Sequence, residues 1–132
     1  MIVYFNPKKH RYDLFEFLEN NNLKNYYKHL KNVTQVIISQ ASKNIDGVAV
    51  LYKYDNKKYL NILTRNKSIL LNLITFSSWL KENLYVRVNK KYYYKVYIFK
   101  SKGFKICEVN DNFVILRRMY NERKFNKSRI ES

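Results

Sequence analysis

The period of the apolar positions changes several times along the chain. Residues 2–5 (IVYF) are an unbroken apolar run that Asn6-Pro7 closes. Over 11–22 (RYDLFEFLENNN) the apolar residues Tyr12, Leu14, Phe15, Phe17 and Leu18 recur at helical spacing, which predicts an amphipathic helix. It ends at Asn20-Asn21-Asn22, because Asn tolerates the left-handed conformation that terminates a helix. Residues 33–38, 48–54 and 59–64 read as strands, with Asp55-Asn56-Lys57-Lys58 as a polar connection. Residues 68–76 (SILLNLITF) fit a strand or a helix. LYVRV at 84–88 alternates, and 93–99, 104–109 and 113–119 are three further strand candidates, with a basic turn at 89–91. Asn110-Asp111-Asn112 is a turn by composition.

This order predicts an α+β chain: a small N-terminal α/β half followed by an antiparallel all-β C-terminal half with a basic tail. The expected boundaries are 1–77 for the first half, 78–119 for the second and 120–132 for the extension. VYIFKSKGFKI (96–106) is read as a hairpin, with one of the chain's two glycines, Gly103, in its turn.

Charge changes the picture most. The 132 residues carry 26 Lys and Arg against 10 Asp and Glu, a net +16. With 46% hydrophobic and 17% aromatic residues, the chain has material for a core and is no disordered basic tail. Such a charge attracts polyanions, nucleic acid first and an anionic membrane second. The longest apolar stretch, 68–80, is interrupted by Asn72, Thr75, Ser77 and Ser78, so no membrane span is expected. The N-terminus lacks the features of a secretory or import signal. The bias toward Asn, Lys, Ile and Tyr suits an AT-rich genome, as in an organelle, a parasite or a phage.

Recognisable enzyme motifs are missing: no Gly-rich dinucleotide loop, no phosphate-binding P-loop, no zinc-protease or serine-hydrolase signature. One cysteine, Cys107, makes no internal disulfide and reads as a small strand hydrophobe. With His10 and His29 it makes no zinc site, so no metal and no cofactor are expected. His10 suits a phosphate-facing loop beside Lys8, Lys9 and Arg11. Asp13, Glu16 and Glu19 read as a solvated helix face. Four basic clusters sit at expected turns or element ends, where they can reach phosphates. They are Lys8, Lys9 and Arg11; Lys90 and Lys91; Lys100 and Lys102; and Arg117 and Arg118 with the tail. Tyr92, Tyr93 and Tyr94 stand between lysines, where rings can stack on bases.

Three stretches resemble the small-subunit ribosomal protein S-eight family. VYFNPKKHRYDLFEFLENNNLKNYY (3–27) resembles that family's first strand, basic turn and helix, with Lys8-Lys9 on the turn and Phe17-Leu18 on its Val-Leu pair. Residues 59–88 resemble its central strand and the stretch leading to I-S-K-P-G-x-R-V-Y-V, with Ser78 on that serine and Tyr85-Val86 on Y-V. VYIFKSKGF (96–104) resembles G-I-A-I-L-S-T-S-K-G-V, with Ser101-Lys102-Gly103 on S-K-G. A second register instead puts Gly103-Phe104-Lys105-Ile106 on the motif's G-L-G-I and Asn110-Asp111-Asn112 on S-T-S. Residues 29–56 stand as an insertion, and the tail is extra.

The resemblance implies a non-enzymatic constituent of a small ribosomal subunit, most naturally mitochondrial and alternatively cytoplasmic. Its partners would be the central domain of small-subunit rRNA and neighbouring ribosomal proteins, with no small-molecule substrate. It adds Ser78, Ser101 and Gly103 to the expected RNA-contacting residues. A small phage- or plasmid-type nuclease or DNA-binding regulator is the rival reading, and a membrane-surface protein a third.

Overall fold

A computed structural model describes residues 1–23, 32–42 and 44–120. The expected tail from 121 onward, His29 and part of the expected insertion lie outside the described residues. Strands β1 (Ile2–Tyr4), β2 (Val33–Ala41), β3 (Asn44–Tyr54), β4 (Lys57–Leu63), β5 (Leu84–Asn89), β6 (Lys105–Val109) and β7 (Phe113–Arg118) join in one seven-stranded sheet, order β1-β2-β3-β4-β5-β7-β6. All neighbours are antiparallel except β4 and β5. Helices α1 (Pro7–Asn20), α2 (Lys67–Ser77) and α3 (Tyr94–Ser101) cover its faces, with short 3-10 turns at Ser78–Leu80 and Lys90–Tyr92.

Helix α1 forms as its pattern predicts. Asn6 caps it by accepting from the Lys8 N–H at 3.0 Å, and Pro7 takes the first turn. Asn22, at φ 59°, ends it: its N–H reaches the Glu19 carbonyl and that of Leu23 reaches Leu18. The buried stripe of Leu14, Phe17 and Leu18 packs on Ile38, Ile45, Val48 and Val50. Helices α2 and α3 pack on the opposite face. There Leu70, Leu73, Ile74, Val96 and Phe99 meet Leu51, Leu60, Leu84, Val86 and Leu116. Each fully buried side chain of this kind contributes about 1.5–3 kcal/mol.

The division into an α/β half and an all-β half is therefore corrected: one mixed sheet runs through the described chain, with helices on both faces. The error lies in residues 94–101. Val, Ile, Phe and Tyr favour strands, yet the burial of Val96 and Phe99 with the exposure of Tyr93, Tyr97 and Lys100 follows a helical period.

Gly103 accordingly sits at the end of a helix and makes no hairpin. Its φ is +92°, its N–H reaches the Lys100 carbonyl at 3.2 Å, and the Phe104 N–H reaches Phe99 at 3.1 Å. The Phe99 and Phe104 rings meet edge to face at 5.3 Å, the apolar contact that accompanies this type of helix end. Asn110-Asp111-Asn112 does form the β6–β7 turn, with the Asn110 N–H bonded to the Phe113 carbonyl. Residues 68–76 fall in α2, started by the Asn66 side chain, which accepts from Ser68 and Ile69 N–H groups.

Candidate active site

The β4–β5 neighbourhood departs from the rest of the sheet. The strands run parallel and share one registered pair, Tyr59↔Tyr85, near their N-terminal ends. Beyond it a cleft of about 170 Å³ opens. Its lining includes Leu60, Ile62, Val86 and Val88, which face α2 and α3, and also Asn61, Arg87 and Asn89, which alternate to the other side. The opening therefore passes between the strands. Phe99 and Leu70 close its helical side, and Tyr92 and Lys95 line it too. The C-terminal ends of parallel strands are where open sheets commonly place ligands.

Lys95 is half-buried, and burial lowers its pKa. Its Nζ stands 5.1 Å from the Tyr92 ring centre. Lys67, in the first turn of α2, stands one turn before the lining residue Leu70, and Lys90 and Lys91 fall between the lining residues Asn89 and Tyr92 in sequence. The backbone donors of Ser68 and Ile69 are taken by Asn66, so positive charge at the start of α2 comes chiefly from side chains.

On the sheet face that α1 leaves open, a groove of about 610 Å³ adjoins the cleft. The alternation of β3, β4, β5 and β7 aims Tyr52, Tyr59, Tyr85 and Arg117 to this face. Cross-strand register sets those four side by side, and Lys105 follows Arg117 on β6. The Tyr52 and Tyr59 rings stack at 5.6 Å and 18°, and Tyr59 and Tyr85 lie 5.7 Å apart. Burial raises the pKa of Tyr52, partly offset by the positive Arg87. Burial also raises that of Tyr59, helped by Tyr52, Cys107, Glu108 and Tyr85 around it. Arg87 lines both cleft and groove, and its guanidinium lies flat over Phe113 at 3.8 Å. Glu108 enters the groove beside Ile115 at a bulge in β6.

No protein-family model matches the sequence, and no curated protein matches it. Solved structures do. An acetyltransferase of the GNAT family from Streptococcus pneumoniae superposes with a TM-score of 0.67, at 13% identity over 89% of this chain and 97% of that one. The chain has the fold of the GNAT acetyltransferases. A chimera of the Vibrio cholerae spermidine N-acetyltransferase SpeG matches this GNAT fold with a TM-score of 0.63, at 13% identity over 92% of this chain and 98% of its own. A Bacillus subtilis acetyltransferase in complex with CoA matches with 0.63, at 15% identity over 89% and 97%.

The GNAT fold overturns the resemblance to the ribosomal S-eight family, and with it the ribosomal function, the absence of catalysis and the rRNA and ribosomal-protein partners. The matching structures are acetyltransferases, not ribosomal proteins. They give no support to the nuclease or DNA-binding rival either. The weakness of the earlier match was its strongest motif: S-K-G sits at a helix end where the ribosomal family has a hairpin.

The residues expected to contact RNA do not converge. Lys8, Lys9 and Arg11 lie exposed on α1, across the sheet from α3. Lys100, Ser101 and Lys102 form the end of α3, where the Ser101 hydroxyl donates to the Ile98 carbonyl. The Ser78 hydroxyl donates to Thr75. Arg118 is buried, bonding the Lys102 carbonyl at 3.3 Å and the Ser77 hydroxyl at 2.8 Å, with its guanidinium 4.5 Å from the Phe104 ring centre. Arg117 lines the groove, and Lys90 and Lys91 flank the cleft. His10 is buried in α1, its Nδ1 accepting the Asn6 N–H at 3.0 Å, and faces no phosphate. Cys107 is exposed, contrary to a packed strand thiol.

Sequence reasoning missed Tyr52, Tyr59, Tyr85, Arg87, Lys95 and Glu108. The alternation of 57–63 and 84–89 does put Tyr59, Asn61, Tyr85, Arg87 and Asn89 on one face. What it leaves open is which strands become neighbours. Among the described residues no group of three metal-ligating side chains converges, and no helix is long and apolar enough to cross a membrane.

Proposed function

We propose that this chain is an N-acyltransferase that takes an acyl group, most simply acetyl, from a CoA thioester and passes it to a primary amine. The observation that carries this reading is the parted β4–β5 pair, whose cleft opens at Arg87 into a separate aromatic groove. Two reactants can thus approach one point from opposite sides of a sheet, which supplies the proximity that acyl transfer needs.

The donor set fits a CoA thioester. The cleft is narrow and apolar inside, with amide-bearing Asn61 and Asn89 in its walls; Lys67, Lys90 and Lys91, next to lining residues along the chain, are the cations this reading assigns to the phosphates. When bound, the thioester supplies an activated acyl carbon. The chain's own residues do the rest. Lys95, its pKa lowered by burial, holds and releases a proton at Nζ within the cleft. Glu108, in the groove, takes a proton from an incoming ammonium. Arg87 bridges the two spaces and offers hydrogen-bond donors where negative charge develops on oxygen.

Calorimetry with CoA tests the reading directly. We expect saturable one-to-one binding, weakened at least about tenfold in a Lys67→Glu, Lys91→Glu double variant, the equivalent of one charge-assisted hydrogen bond. Acetyl-CoA with a panel of amines should then release free thiol. Absence of CoA binding to the folded protein overturns the proposal.

A further inference from the structure

The groove also constrains what it accepts, on the reading that it holds the acyl acceptor. Two of its rings are already occupied by the chain's own cations. Lys57 Nζ lies 5.2 Å from the Tyr85 ring centre, and Arg87 covers Phe113. A second cation over either ring meets like charge at close range. Arg117 stands beside Tyr85 across the β5–β7 register, and Lys105 stands beside Arg117. The side chains of Arg87, Arg117 and Lys105 make no hydrogen bond or ion pair with any described residue; Lys58–Glu82 is the one ion pair among the described residues. The acids are placed unequally. Glu108 shares the sheet row of Arg87 next to the cleft, whereas Asp55 lies at the outer hairpin tip, with Lys57 two residues on. One row further from the cleft, about 7 Å along the strands, come the tyrosines and then Arg117 and Lys105.

We infer that the acceptor is an amine with a flat or ring-shaped body and an anionic far end, a carboxylate or a phosphate. Its body lies against the partly exposed Tyr52 and Tyr85 on either side of the buried Tyr59, its amine reaches Glu108 and Arg87 at the cleft, and its anion meets Arg117 and Lys105. Ring bodies stack on tyrosine, and Arg offers a planar fork to either anion. Polyamines do not belong here, although spermidine N-acetyltransferases share the fold. A polycation approaching a chain of net charge +16 is repelled before it arrives, and at Tyr85 and Phe113 it finds a cation already in place.

The test uses binding without CoA, so that it stands apart from the acyltransfer reading. Titrations compare para-(aminomethyl)benzoate with its methyl ester, phosphorylated glucosamine with glucosamine, and spermidine alone. At least one probe that carries the anionic group should bind about tenfold or more tightly than its counterpart without it. That preference should vanish in Arg117→Gln and Lys105→Gln variants whose unfolding midpoints match the parent, and spermidine should not compete. Equal binding of the members with and without the anionic group in both pairs, or preferred binding of spermidine, overturns the inference. If CoA binds and the anion preference is missing, the acceptor assignment alone falls. If the preference holds and CoA does not bind, the groove keeps its ligand class and the transferase reading falls.

Discussion

Arg118 shows how misleading a charged residue can be when read alone. Adjacent to Arg117 in sequence, it points to the opposite sheet face, because successive strand residues alternate. There its guanidinium joins the ends of two helices, the Lys102 carbonyl beyond α3 and the Ser77 hydroxyl at the end of α2. A cation at two helix C-termini is favoured by both dipoles. Arg118→Ala should lower unfolding free energy by about 2–4 kcal/mol, read from a denaturant midpoint, because carbonyls and an aromatic face lose their partner in a closed space. Arg118→Lys should recover less than half, since an ammonium cannot reproduce the planar fork. Equal stability of the Lys variant and the parent would sink the bridging role. Arg117→Gln, on the open face, should leave the midpoint within about 0.5 kcal/mol. The dipeptide RR was legible as basic; its division into a buried strut and a residue of the open groove required the strand's register.

At the scale of elements, single helices and strands were readable where period and punctuation agreed, although the fold they build was not. Helix α1 carries an N-cap, an N-terminal Pro and a terminal Asn, and β2 to β4 carry apolar runs separated by turn residues. Tyr54 to Lys57 closes as a two-residue hairpin with Asp55 and Asn56 both at positive φ. Helix α3 was misread because its β-favouring residues outweighed a short helical period, and Gly103 fits a hairpin as well as a helix end. The discriminating signal was available: apolar Phe99 and Phe104 stand at the two positions that meet across such a helix end.

The two glycines then serve opposite needs. At Gly103 the backbone conformation is the constraint; at Gly47 it is space, since a Cβ there would lie 2.6 Å from Ile69 Cγ2 and 3.1 Å from Leu73 Cδ1 of α2. Gly103→Ala should cost about 1–2 kcal/mol and Gly103→Asn distinctly less. Gly47→Ala should cost about 1–3 kcal/mol through overpacking, and Gly47→Asn more, the reverse order. Matching orders at the two sites, measured by chemical unfolding, would contradict the assignment.

For the molecule as a whole, the sheet consists of two antiparallel sets, β1 to β4 and β5, β7 and β6, that meet at Tyr59 and Tyr85. Composition and charge point to a negative partner, and nucleic acid, the first candidate, is not what the fold supports. The site itself was not legible, because its residues come from β3, β4, β5, β6, β7 and α3, and only long-range register assembles them. The same seam has a mechanical meaning. A sheet stitched by full ladders opens as one unit, but this one has a spine like a bound book, firm within each half and stitched once between them. Amide protons of 60–63 and 86–88 that face the seam should exchange with solvent faster than those facing β3 or β7. Adding CoA should slow that exchange, because filling the gap gives both covers of the book something to close on. Uniform protection across both edges of β4 in the free protein would mean that the stitching is continuous.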